Sequence, residues 1–479
     1  MAKRVVGVDS STQSCKVLVV DAENGTIIRS ANATHPKGTE VDPAEWLKAL
    51  EKSLEAVGGI DDCHALAIGG QQHGMVCLDY SGQVIRPALL WNDTRSAQAA
   101  NDLVNELGAG DDQAGADAFV QATGSIPVPS FTITKLRWLA DNEPENAKKI
   151  AAICLPHDWL TWQLQGAKSL ADLVTDRSDA SGTGYFDSAT NEYRYDLLAL
   201  ALRISEDEAK KIQLPKVLGP NDEAGKVCDK YTRAEIVLGP GCGDNAAAAL
   251  GLGLEPLQAS ISLGTSGVIC AVFEEPLNRH EGLMAGFADA TGNWLALTCT
   301  LNCAQILDYT RELLQVDYQE FDRLVSQAEL GANGLGLTPF YAGERTPNLP
   351  SATASWWGLN TENRKPENYA RAALESLGYL LRYSLEVMAK TGNQISSALL
   401  IGGSAKSKAL QEIFPNLLNC HLDLPTPGEY VALGAAKQAA WVLTSELPTW
   451  KLEVASLNAP ANDDIYQESY GHWVKQAIG

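Results

Sequence analysis

Val5-Val6-Gly7-Val8-Asp9-Ser10-Ser11-Thr12-Gln13-Ser14-Cys15-Lys16-Val17-Leu18-Val19-Val20 sets a short polar turn between two apolar runs. Valine-rich runs of this length read as buried strands, so the stretch predicts strand, turn, strand. Asn24-Gly25 is a hairpin signal, and Thr26 to Arg29 supplies a third strand. A helix follows, with Asp42 able to cap it, Pro43 suited to its first position and Glu45 at capping-box spacing. Trp46, Leu47, Leu50, Leu54 and Val57 form one apolar stripe, which Gly58 ends. His64 to Ile68 then reads as a buried strand ending in Gly69-Gly70. The order β-β-β-α-β predicts an α/β layer fold.

The same pattern returns near residue 255. Gln258 to Leu263 is a β-rich run, Gly264-Thr265-Ser266-Gly267 is the turn, and Val268 to Phe273 continues. A long helix from about Glu367 to Lys390, a strand Ala398 to Ile401, the turn Gly402-Gly403-Ser404 and an alanine-rich helix around Val431 to Trp441 come after it. This is a weak internal repeat at an offset of about 255 residues. Two halves of similar topology imply a cleft between them, and such clefts are favoured ligand sites. The expected units are residues 1–250, residues 251–445 and a tail, 446–479, in which no clear period is visible.

With 479 residues the chain is long enough for two or more domains. Its apolar and charged fractions, 45% and 20%, are those of a globular protein rather than a disordered chain or a coiled-coil rod. The net charge of −22 repels polyanions and so argues against nucleic acid and anionic membrane as partners. A small phosphate-bearing ligand remains compatible, because backbone amides and a metal ion bind it locally. No stretch approaches the length of a spanning helix, and the N-terminus lacks an apolar run suited to a signal peptide. Ten scattered cysteines without a Cys-x-x-Cys suit neither a disulfide framework nor a zinc site, and predict reduced thiols in the cytoplasm.

Several segments carry groups suited to chemistry. Ser10, Ser11, Thr12 and Gln13 in one hairpin, and Gly264, Thr265 and Ser266 in the other, offer amides and hydroxyls to phosphates. Each hairpin alone reads more readily as an ordinary turn; the duplication brings the phosphate-binding reading level with it. Asp9, at the end of the first strand, is a candidate Mg2+ ligand. Gly241-Cys242-Gly243-Asp244-Asn245-Ala246 puts Asp244 at a helix start, where it is either a cap or a general base. Gly69-Gly70-Gln71-Gln72-His73-Gly74 and Trp91-Asn92-Asp93 follow strands and can bind a polyol, with Trp91 over its apolar face; a satisfied loop histidine and a core tryptophan are the plainer readings. No Walker lysine loop and no Rossmann glycine fingerprint occur. Gly402-Gly403-Ser404-Ala405 lies between a strand and a helix, where it can pack against a nucleoside base.

Taken in order, these segments resemble the FGGY carbohydrate kinases of the actin-like ATPase superfamily. Val8 to Lys16 is similar to that family's first phosphate hairpin, and Ser262-Leu263-Gly264-Thr265-Ser266-Gly267 to its second. Gly70-Gln71-Gln72-His73-Gly74 resembles the sugar-binding Gly-Gln-Met-His-Gly of the xylulose-phosphorylating branch, and Leu90-Trp91-Asn92-Asp93 matches its Leu-Trp-Asn-Asp. Thr132 to Leu139, Gly243-Asp244-Asn245, Gly343-Glu344-Arg345-Thr346-Pro347, Trp357-Gly358-Leu359 and Ile401 to Ser407 also match. The resemblance runs from about residue 4 to residue 443. Two departures stand out: Ser11 where the family usually has Gly, and Gln72 where the branch usually has Met.

The resemblance implies two actin-like (ribonuclease H-like) α/β domains around a central cleft, sugar on the first and ATP mostly on the second. It implies ATP-dependent phosphorylation of D-xylulose at its terminal hydroxyl, with Asp244 as general base and Asp9 supporting Mg2+. Gln72, His73, Trp91, Asp93, Asp244 and Asn245 are the implied sugar contacts. Ser11, Thr12, Gln13, Lys16, Gly264, Thr265, Ser266, Gly402, Gly403 and Ser404 are the implied ATP contacts. The expected partners are D-xylulose and ATP, without nucleic acid or membrane, and with a homodimer left open. A kinase for ribulose, gluconate or glycerol, a non-catalytic sugar or nucleotide sensor, and an actin-like filament protein are the alternatives.

Overall fold

The computed structural model describes residues 3–458 and 464–479. Its first sheet contains β1 (Arg4–Ser10), β2 (Ser14–Asp21), β3 (Ile27–Thr34), β4 (Ala65–Gly70), β5 (Gly225–Lys226) and β6 (Val237–Leu238), in the order β5-β6-β4-β1-β2-β3, and Cys242–Gly243 also pairs with β4. The second contains β7 (Gln258–Leu263), β8 (Gly267–Phe273), β9 (Trp294–Thr300), β10 (Ser397–Ile401), β11 (His421–Pro425) and β12 (Val454–Ser456), in the order β9-β8-β7-β10-β11-β12, with Ala285–Ala288 outside β9.

The two sheets repeat each other strand for strand. β1 runs antiparallel to β2 and parallel to β4, as β7 runs antiparallel to β8 and parallel to β10. β4 and β6 are parallel, as are β10 and β11, and a short antiparallel strand closes each edge. The repeat legible as two hairpins therefore extends over six strands.

β1 is a nearly unbroken apolar run because both of its faces are covered. Val6, Val8, Val17 and Val19 pack in one core with Trp46, Leu50 and Leu54 of α1 (Pro43–Ala56). Asp42 caps that helix, accepting from the amide of Ala44 at 2.9 Å. Val5, Leu18 and Val20 face the other way, against alanines of a helix near the C-terminus.

That helix crosses from the second stretch of the chain to the first sheet. The helices between α2 (Asp244–Leu252) and the end include α3 (Pro366–Ala389), α4 (Tyr430–Thr444) and α5 (Asp464–Ala477). α4 falls inside the stretch assigned to the second unit, yet it lies on β1, β4 and α2 of the first. Its small residues allow this. A Cβ on Gly7 would lie 1.9 Å from the Ala432 carbonyl oxygen, and one on Gly434 would lie 1.8 Å from that of Ala247. The tail 446–479 likewise has structure: β12 joins the second sheet, and α5 buries Tyr466, Tyr470 and Trp473 in the second core. Residues 459–463 of that tail lie outside the described residues.

Gly7→Ala is therefore expected to destabilise the protein by about 3 kcal/mol or more, because the obstruction is backbone that cannot rotate away. Gly471→Ala, where an added Cβ meets nothing within 4 Å, should be near neutral. Urea denaturation of the two variants checks this; equal midpoints would refute the packing argument.

Candidate active site

Three strands bring the reacting groups to one end of the first sheet. Asp9 of β1 is in register with Gly69 of β4, and Gly69 with Cys242. The next step pairs Ser10 with Gly70, and Gly70 with Gly243. Asp9 and Asp244 are thus delivered to the carboxyl ends of parallel strands, where open α/β sheets bind ligands. Asp244 begins α2, and its Oδ1 accepts from the amide of Asn245 at 2.8 Å and from that residue's Nδ2 at 3.0 Å. Burial, reinforced by the negative charge of Asp9, raises its carboxyl to about 7. A carboxylate so tuned suits general-base work near neutrality.

The sugar-side residues expected from sequence converge only in part. Gln72 is buried, donates through Nε2 to the Ser178 carbonyl at 3.2 Å, and receives Asn245 Nδ2 at 3.5 Å. His73 sits at φ 69°, stacked on Phe131 with ring centroids 4.7 Å apart. Its Nδ1 lies 2.6 Å from the Gly182 carbonyl, which can only accept, so the proton is on Nδ1 and Nε2 is an acceptor. Burial lowers its pKa to about 3, keeping the ring neutral. Trp91 is 44% exposed and donates to Thr12 Oγ1 at 2.7 Å, tying its loop to the first hairpin.

Asp93 is bonded within its own loop. Its Oδ1 receives Arg95 Nε at 2.8 Å and the Arg95 amide at 3.0 Å, while Oδ2 receives Thr39 Oγ1 at 2.7 Å. These bonds hold the carboxyl below the usual range despite burial. Asp93 thus braces its own loop through both oxygens, and Oδ2, with one bond, keeps a lone pair for a further donor.

On the nucleotide side, Thr265 and Ser266 are exposed at the β7–β8 turn. Beside them a cavity of about 650 Å³ is lined by Gly264, Thr265, Arg311, Tyr318, Gly403 and Ser404, among others. That volume is within the usual range for ligand sites. Gly402, at φ 96°, lets the chain pass close to β7: a Cβ there would lie 2.7 Å from the Leu263 oxygen. At Gly403 a Cβ would meet nothing within 4 Å, so its backbone is open to a ligand. In the first hairpin, Ser11 Oγ donates to Asp9 and the Ser11 carbonyl accepts from His35 Nδ1 at 2.9 Å. Gln13 is exposed, and its carbonyl accepts from the His35 amide at 2.8 Å. Lys16 pairs with Glu429, which precedes α4.

Some supports were not foreseen from sequence. Residues 176–182 form a buried turn whose Ser178 Oγ receives the Gly243 amide at 3.0 Å. His157 pairs with Asp179, and its Nε2 lies 3.2 Å from the Pro240 carbonyl. The nearby acids Asp158, Asp179 and Asp176 outweigh burial and raise the imidazole to about 10. The two acids and the serine of Asp176-Arg177-Ser178-Asp179 are a visible cap pattern, but sequence spacing carries no sign of what they touch.

The comparisons with known proteins agree with this geometry. Residues 4–251 match the model of the FGGY family of carbohydrate kinases, N-terminal domain, and residues 259–443 match that family's C-terminal domain. A xylulose kinase of Streptomyces coelicolor is 42% identical over 452 residues, 92% of this chain and 88% of that protein. One from Streptomyces rubiginosus is 42% identical over 93% of this chain and 89% of its own. The crystal structure of a xylulose kinase from Bifidobacterium adolescentis superposes with a TM-score of 0.95 at 47% identity, covering 100% of both chains. The duplicated mixed sheets are thus the actin-like, ribonuclease H-like ATPase fold, and the chain belongs to the FGGY family of carbohydrate kinases.

Proposed function

We propose that the protein transfers the γ-phosphoryl group of ATP to the terminal hydroxyl of D-xylulose, giving D-xylulose 5-phosphate and ADP. The observation that carries this reading is Asp244, a carboxyl raised to about 7 at the sheet end, whose neighbour Asn245 meets both Gln72 and Cys270 of the strand leaving the second hairpin. The xylulose kinases to which the chain is similar supply the choice of sugar.

In this mechanism the ketose lies against Gln72, His73, Trp91 and Asn245, with its terminal hydroxyl toward Asp244. The carboxylate orients that hydroxyl and takes its proton as the oxygen–phosphorus bond forms and the bond from phosphorus to the β-phosphate bridge breaks. Phosphates are held at Thr12, Gly264, Thr265 and Ser266, and adenosine near Gly402, Gly403 and Ser404. Asp9, beside the Ser11 hydroxyl and near Asp244, fits the one or two carboxylates that Mg2+ takes together with phosphate oxygens. When bound, Mg2+ would offset the charge on the transferring group. Among the described residues no helix is long and apolar enough to cross a membrane, and ten unpaired cysteines support a reducing, cytoplasmic setting.

An ADP-release assay over ketopentoses, glycerol and gluconate tests the proposal. D-xylulose should give the highest kcat/KM; a preference for another polyol would overturn the substrate, and silence across the panel would overturn the activity. His73→Ala, which removes an acceptor from the sugar loop, should raise KM for D-xylulose about tenfold or more and KM for ATP less than threefold. Equal rises would mark His73 as a loop residue only.

A further inference from the structure

The chain that delivers Asp244 leaves the sheet at Gly241 and rejoins it at Cys242–Gly243, just before the site. The Gly239 amide still bonds the Leu66 carbonyl at 2.8 Å, but the chain then bulges at Gly241, where φ is 82°. A buried backbone amide and carbonyl without a strand partner are costly unless something else satisfies them. Gln438 of α4 does so with both ends of its side chain. The Gly241 amide donates to Oε1 at 2.9 Å, and Nε2 donates to the Gly241 carbonyl at 2.9 Å. Each partner has one role, so the amide has a single satisfied orientation. The side chain thus replaces the missing residue of a neighbouring strand.

Gln438 is fully buried on a helix whose buried residues are mostly small and apolar, Ala435, Ala439 and Val442 among them. Across the turn stands His157: a Cβ on Gly241 would lie 2.2 Å from its Cδ2. The turn is therefore gripped between two elements, and Asp244 is three residues beyond the grip.

We propose that Gln438 is a positioning residue for phosphoryl transfer, fixing through Gly241 the place from which Asp244 reaches the substrate hydroxyl. This rests on the reading of Asp244 as general base. It acts through the backbone and touches no substrate. Its loss should let the turn shift, and a displacement of about 1 Å at a reacting group costs on the order of 100-fold in rate.

The test is Gln438→Met, similar in volume but unable to make either bond, assayed with saturating ATP and the sugar that the wild type turns over best. Leu443→Ala, which trims the same apolar cluster without touching the turn, is the control for lost stability. The expected result is a kcat at least tenfold lower with KM for sugar and ATP within threefold, while Leu443→Ala keeps kcat within twofold. Gln438→Glu, which retains the acceptor for the Gly241 amide but not the donor, should fall between; if the methionine variant does not fold, it decides by requiring a kcat at least threefold below wild type. A kcat within twofold of wild type in folded Gln438→Met, a KM rise matching the kcat fall, or an equal loss in Leu443→Ala would overturn the proposal. An inactive wild type would instead overturn the kinase reading.

Discussion

Asp244→Asn is expected to lower kcat by about 10²–10⁴-fold while leaving D-xylulose affinity within a few-fold of wild type. Asparagine keeps the size and an oxygen for Asn245 but cannot accept the proton. Calorimetric titration with sugar, beside steady-state kinetics, separates the two effects; turnover within tenfold of wild type would end the proposed mechanism. The same carboxyl predicts a pH profile. Only its ionised form accepts a proton, so wild-type kcat/KM should rise with pH and level off through a midpoint near 7. Stability should move in the opposite sense. The folded pKa lies above the usual carboxyl value, so the group favours the folded state at low pH, and that contribution is lost as pH rises through about 7. Asp244→Asn should therefore melt above wild type at pH 8, with the gap shrinking by pH 5. A gap that is the same at both values would show that burial does not tune this group.

Asp9→Ala is expected to cut turnover by about 10²–10³-fold at ordinary Mg2+ and to raise the Mg2+ concentration that gives half-maximal rate. The carboxyl is itself raised by burial, with the Ser11 hydroxyl and Lys16 opposing that rise. Its charge also raises Asp244, so Asp9→Asn should shift the midpoint of kcat/KM to lower pH. An unchanged metal titration would remove Asp9 from that role, and an unmoved midpoint would show that the two carboxyls do not sense each other.

Much of this site was legible before any coordinates. The hairpins at Asp9 to Lys16 and Gly264 to Gly267, the cap at Asp42 and the helix start at Asp244 are local patterns, and the structure forms each of them. Asp93 shows the limit. Its tetrapeptide reads as part of a sugar loop, yet one partner of the carboxylate is Thr39, 54 residues away. Gln438 was invisible for the same reason: a glutamine in an alanine-rich helix carries no mark of a turn 197 residues earlier.

Alternation, caps and turn residues therefore determined by themselves that the chain makes two β-β-led α/β units carrying polar turns, because those signals act over a few neighbouring residues. Tertiary structure alone decided that α4 lies on the first sheet and which partners Asp93 takes. It likewise decided which buried groups hold the approach to Asp244. Those outcomes follow from strand register and close helix contact between distant segments, and a linear pattern does not encode such distances.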